Sequence, residues 1–209
     1  MARFFRPKPL GGYRYGADGL DGDLENLSFA DPIPEAMRMY GSNFYGPSDV
    51  YGGGARVSAR NMPTKLRLTG RKRRLVDFDG QRHMYLVSRR FIDILEGFQK
   101  EVQYFPVECS WTDGSPAGQF FFFFTTVLLD AVIREKTTAT WTPTGPGEGL
   151  WQPKEGEAFA FDKSRLGNIH MWVDPNMPTE GALITEALHD LLRDAKIESF
   201  YEWTYSEEI

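Results

Sequence analysis

Five consecutive phenylalanines, Phe120 to Phe124, constrain this chain more than any other feature. The run continues into Thr125, Thr126 and Val127, which are all β-branched. Side chains alternate across a strand, so successive aromatics put bulk on both faces. A strand with one face in water would leave several of these rings exposed. The run therefore predicts a buried central strand in a sheet that is covered on both sides. Left uncovered, the same segment would be an aggregation hazard. The apolar stretch from Phe120 to Leu129 falls far short of the roughly 20 residues a membrane helix needs.

The flanking segments supply the rest of the fold. Met84–Val87 reads as a strand, and Ser88 is a good N-cap. Phe91, Ile92, Leu95 and Phe98 follow at helical spacing. Arg89 with Asp93 and Glu96 with Lys100 are i,i+4 pairs on the outer side. Tyr104–Ser110 reads as a strand, and Trp111–Pro116 as a turn. Thr142–Gly156 holds four glycines and three prolines and reads as a loop around Trp151. Phe159 and Phe161 alternate with smaller residues, and Ile169–Val173 is a strand candidate. Leu183-Ile184 reads as strand and Thr185 as N-cap. Leu188, Leu191, Leu192 and Ala195 form a helical stripe, and Phe200–Tyr205 a final strand. The expected fold is α+β, a mostly antiparallel sheet with at least two packed helices.

Residues 1–55 are different. Ten glycines lie between Gly11 and Gly54, and five of the nine tyrosines fall in the same stretch. No period persists there, so it reads as an irregular N-terminal arm packed on a single α+β domain over 56–209. A short helix is expected around Pro34–Tyr40. Asp18, Asp21 and Asp23 miss the ligand spacing of a calcium loop and read as turn residues. Gly52-Gly53-Gly54 lacks the Lys and hydroxyl of a phosphate loop and reads as a turn. Within the domain, 85–105 and 182–202 share one plan at an offset of 97: apolar residue, hydroxyl cap, helix, aromatic strand. An internal repeat is a candidate here; any capped amphipathic helix followed by a strand would look similar.

Charge is segregated. Arg56 to Arg90 carries eleven basic and two acidic residues, a net charge of +9. Asp174 to Ile209 carries nine acidic and two basic residues, a net charge of −7. The whole 209-residue chain is at −5, which argues against generic nucleic-acid binding. Arg71-Lys72-Arg73-Arg74 has no aromatics interleaved and reads as a solvated loop. The lone cysteine, Cys109, excludes an intramolecular disulfide and a four-thiolate zinc site. His83, His170 and His189 share no ligand spacing. No nucleophile elbow, Walker loop or dinucleotide fingerprint is present. Glu155 and Glu157 are paired carboxylates that read better as surface acids than as a hydrolytic pair. A cytoplasmic protein is expected, since the N-terminal residues lack a secretory h-region.

Several of these segments resemble one known family. Leu86-Val87-Ser88-Arg89-Arg90-Phe91-Ile92-Asp93-Ile94-Leu95 resembles its capped helix element. Phe120 through Leu129, Asp130, Ala131 and Val132 resembles its central strand and the element that follows. Ile169-His170-Met171-Trp172 resembles its late strand, although Val173-Asp174 stands where the family often carries an arginine. Leu183 through Leu188 to Phe200 resembles its closing helix and strand. The family is that of bacterial immunity proteins of polymorphic-toxin and type VI secretion systems. The likeness covers about 84–209. It implies a non-enzymatic protein that binds and neutralises a cognate toxin. No cofactor, metal, membrane or nucleic-acid partner is expected. A hydrolase using surface carboxylates and a secretion-system adaptor are the other readings.

The expected partner-binding residues come from charge spacing. Glu186, Asp190 and Asp194 are spaced i,i+4 on the last helix, within an arc of about 80°. Glu198 and Glu202 continue the acidic run. The stripe, with its partner expected to be basic, is a candidate docking face; a merely solvated face is the plain alternative.

Overall fold

The phenylalanine run lies on β7 (Pro116–Thr125), an interior strand of a six-stranded sheet. The computed structural model describes residues 3–7, 16–24, 26–32, 53–72, 74–81, 84–145, 148–152, 157–177, 180–197, 200–203 and 206–208. The first sheet runs in the order β2 (Gly16–Gly19), β3 (Lys65–Thr69), β6 (Val102–Trp111), β7, β5 (Met84–Val87), β4 (Phe78–Gln81). Its neighbours are antiparallel except β3 with β6. A second, fully antiparallel sheet runs β11 (Met171–Trp172), β12 (Ala182–Ile184), β1 (Arg3–Pro7), β13 (Phe200–Trp203). β8 (Thr140–Gly145) and β9 (Glu148–Gln152) form a hairpin, and β10 (Phe159–Phe161) pairs parallel with β14 (Ser206–Glu208). The helices are α1 (Arg89–Glu96), α2 (Lys163–Leu166) and α3 (Glu186–Asp194). The fold is α+β and mostly antiparallel, as the hydrophobic pattern predicts.

The pleat divides the phenylalanines. Phe122 and Phe124 join Leu66, Leu86, Val107, Cys109 and Trp111 on one face, under Leu24, Leu27, Val57 and Met62 from the loops. Phe121 and Phe123 join Phe78, Tyr85 and Val87 on the other face. There they meet α1, α3 and the second sheet's Met171, Ala182 and Ile184. The alternate residues of the second sheet, Trp172 and Leu183, turn away toward Trp151, Phe159, Phe161 and Leu166. β7 of the first sheet and β11 and β12 of the second are thus buried on two sides, and period 2 sorts their side chains into three core layers.

Hydroxyl caps start the two long helices. Ser88 Oγ accepts from the Phe91 N–H at 3.2 Å, and Thr185 Oγ1 from the Leu188 N–H at 3.4 Å. α1 ends at Glu96, so Lys100 lies beyond it and the expected Glu96–Lys100 pair does not form. Glu96 instead accepts a hydrogen bond from the Tyr104 hydroxyl. α3 closes with two reverse bonds, Lys196 N–H to Arg193 O at 2.8 Å and Ile197 N–H to Leu192 O at 3.0 Å. This closure places Lys196 at φ 54°, a left-handed conformation normally given to glycine. Lys196→Gly should therefore stabilise the protein by about 0.5–1 kcal/mol, read as a higher urea midpoint at unchanged slope.

The stretch Thr142–Gly156 is corrected: most of its described part is the β8–β9 hairpin and not a loop. Trp141 faces Trp151 across the ladder, with ring centroids 4.8 Å apart. A Cβ on Gly149 would collide with the Trp141 indole. That glycine makes room for a ring inside a strand, which composition alone reads as loop.

In the segment read as an arm, β1 and β2 are short strands and the remaining described residues are irregular. Asp21 accepts from the Thr64 and Lys65 N–H groups at 2.9 and 3.0 Å, and the Thr64 hydroxyl draws its pKa down. Gln103 clips the same region to the sheet: it accepts from the Val57 N–H at 2.8 Å and donates to Val57 O at 2.9 Å. Gly53 has φ 109°, and any Cβ there would strike the Thr125 carbonyl of β7. The Pro34–Tyr40 helix expectation lies outside the described residues.

Candidate functional site

α3 is built to show one face. Leu188, His189 and Leu192 are buried, Leu191 and Ala195 pack partly against the same core, and the acidic side chains take the outside. Glu186 and Asp190 are half-buried and Asp194 is exposed. Arg193 sits among them: its Nη1 is 3.2 Å from Asp190 Oδ1, and its Nε is 3.5 Å from Asp194 Oδ1. The ring of His189 reaches Asp190 at 3.1 Å through Nδ1. The stripe is thus three carboxylates and one guanidinium, an anionic face held in place by short-range pairs. Glu202 lies on β13 beyond the helix, and Glu198 lies outside the described residues.

α1 brings one cation to the C-terminal end of α3. Arg90 contacts Asp77 Oδ2 at 3.3 Å and also donates to the Ala195 carbonyl at the end of α3. A guanidinium is favoured there because the last helical carbonyls carry partial negative charge. Arg89 lies over the Phe121 ring, its guanidinium carbon 4.4 Å from the centroid. Other residues of the basic segment, Lys65, Arg67, Arg71 and Lys72, lie along β3 and the loop after it. Lys72 pairs with Asp113 at the β6–β7 turn, and with Ser115 it holds that carboxyl down at about 2.

The groups that might suggest chemistry have structural partners. Glu157 fastens the start of β8, accepting from the Thr140 hydroxyl at 2.8 Å and its N–H at 3.2 Å; Glu155 lies outside the described residues. His170 Nδ1 is 2.9 Å from Thr185 Oγ1, and its ring lies 4.2 Å from that of Phe98. Burial pushes the Cys109 thiol up to about 12, so it is an unreactive small hydrophobe. Among the described residues no group of three His, Cys, Asp or Glu is placed to hold a metal. No described helix is long and apolar enough to cross a membrane. His83 lies outside the described residues.

Two buried polar residues escaped the reading of the sequence. Gln99 is 3% exposed and bridges to the second sheet: its Oε1 accepts from the His170 and Met171 N–H groups at 2.7 and 2.5 Å, and its Nε2 donates to Met171 O at 2.9 Å. Asp174, one of the nine acids of the negative segment, is fully buried. Its place just after an aromatic strand was the available signal.

No curated protein sequence matches the chain. The model of an immunity protein family, Imm11, matches residues 34–204. The match takes in α1, β7 and α3, the elements whose caps and core residues carried the resemblance, and reaches upstream of residue 84 into the arm. Spanning well over half the sequence, it establishes that this chain belongs to the Imm11 immunity protein family.

Proposed function

We propose that this protein protects its producer by binding a cognate bacterial toxin in a stoichiometric, non-catalytic complex. The observation that carries this reading is membership of an immunity protein family over residues 34–204. The hydrogen bonds of Glu157 and His170 and the burial of Cys109 agree with it, since these three groups already have structural roles. The setting is a type VI or other polymorphic-toxin system, and neutralisation takes place in the cytoplasm.

The docking face in this reading is the outer side of α3, through Glu186, Asp190 and Asp194, with Glu198 and Glu202 continuing it. Its net negative charge suits a basic toxin, and complementary charge acts chiefly on the rate of association. Co-purification with the product of the neighbouring toxin gene tests the partnership. Asp190→Lys with Asp194→Lys tests the face. Asp194 is exposed and can be reversed with little effect on the fold, whereas Asp190 also contacts the buried His189 ring, so the single Asp194→Lys variant and a check that each variant is folded accompany the double one. The double variant should associate at least ~10-fold more slowly at low salt and lose its salt dependence. A variant that binds at the parent rate and protects cells equally well places the interface elsewhere.

A further inference from the structure

Three buried side-chain polar atoms have no hydrogen-bond partner among the described residues: Trp151 Nε1, Trp172 Nε1 and Asp174 Oδ2. They occupy one region. Trp151 and Trp172 belong to the aromatic layer with Phe159, Phe161 and Met177. Asp174 lies two residues past Trp172 and is joined to the Trp151 backbone through Asn176.

The backbone here is a junction. The Val173 N–H donates to Val127 O at 2.9 Å, and Val173 O accepts from the Leu129 N–H at 3.0 Å. Asp174 Oδ1 accepts from the Asn176 N–H at 2.8 Å. Asn176 O in turn accepts from the Trp151 N–H at 2.9 Å. Segment 127–130, the β8–β9 hairpin and the end of β11 are therefore tied together at 173–177. A charged oxygen without a partner at this point would carry a large desolvation cost.

We propose that Asp174 is a proton-binding site that locks this junction, closed while the carboxyl is neutral and loosened at the β8–β9 hairpin and segment 127–130 when it ionises. Burial raises its pKa to about 8; the Asn176 bonds oppose the rise, the Asp130 carboxylate adds to it and the Arg134 guanidinium opposes it. Asp130 and Arg134 are the charged groups that act on it; both are exposed, Asp130 at the end of the held segment and Arg134 four residues beyond it. Arg134 also stacks on Trp141 of the hairpin, 4.1 Å from its ring centroid. The sign follows from linkage. An unfolded Asp titrates near 3.9, roughly, so the folded chain holds an extra proton between that pH and its own pKa. Stability is greatest at the acidic end of this window, falls as pH rises through it, and levels off above about 8.

The test is a titration of the full chain from roughly pH 6 to 10, following the indole N–H resonances of Trp151 and Trp172. Both should move with a one-proton midpoint near 8, where burial places the carboxyl. Asp174→Asn should abolish the movement while keeping the folded spectrum. Asp130→Asn should lower the midpoint and Arg134→Gln should raise it, each by roughly a few tenths of a pH unit, as expected for exposed charges screened by solvent. Neither variant alters Asp174, Trp151 or Trp172 themselves, so they decide the matter even if Asp174→Asn fails to fold. Flat indole signals in the parent, a transition that survives Asp174→Asn, or midpoints that fail to move apart in the two surface variants would overturn the proposal.

Discussion

Leu95→Ala and Leu192→Ala should each destabilise the protein by about 2–5 kcal/mol, measured by urea denaturation. The two leucines are 1% and 0% exposed and belong to the same core layer, between the helices and the first sheet. Each truncation removes apolar burial and leaves a cavity lined by rings that cannot follow. Phe91 and Phe123 meet edge to face at 5.4 Å, and Phe78 lies 5.7 Å from Phe91. Aromatic side chains fixed against one another collapse poorly into a void, which favours the upper part of the range. Ala187→Ser, on the exposed side of α3, should stay within about 0.5 kcal/mol. A loss below about 1 kcal/mol at either leucine would show that its helix does not close the core.

Gln99→Leu should cost about 2–4 kcal/mol although it puts an apolar side chain at a buried position. Leucine would strand the Met171 N–H in the interior and remove the partner of the half-buried His170 N–H. An orphaned buried donor costs roughly 1–3 kcal/mol. The Met171 carbonyl is less affected, because it also accepts from the Thr125 hydroxyl at 3.1 Å. Gln99→Glu offers a sharper comparison. It retains both acceptor interactions but loses the donor to Met171 O, and its charge would be buried. It should be as destabilising as leucine at neutral pH and recover toward pH 4, where protonation restores a neutral donor.

The sequence revealed what local chemistry decides. Ser88 and Thr185 announce their helices because a hydroxyl cap and an apolar stripe lie within a few residues of one another. The phenylalanine run announces a two-sided sheet because alternation is a property of the strand alone. Long-range requirements were hidden. Gly149 looks like a loop residue until Trp141 is placed above it. Gln99 reads as a polar residue after a helix, since nothing nearby shows that residues 170 and 171 come to meet it. Asp174 reads as one acid among many in a negative segment, and only the fold removes it from water. On α3 the acidic spacing was visible, and so in principle was Arg193, three residues from Asp190 and next to Asp194. What the helix alone could not show is Arg90 arriving from α1 to cap the same end.

The position of β1 has a consequence for synthesis on the ribosome. β1 pairs on one side with β12 and on the other with β13, across nearly the whole length of the described chain. The first sheet's core hairpin, β6 with β7, joins adjacent segments and is complete once residue 125 has emerged. The second sheet must wait for residues 182–203 to emerge before its early strand has a neighbour on either side. Until then Met171, Trp172, Ala182 and Leu183 have no finished sheet to hold them. Closing so long a loop is slow, and apolar strands left open during translation favour association between nascent chains. The pairing of β1 with β12 and β13 is therefore expected to be a late step of folding during synthesis.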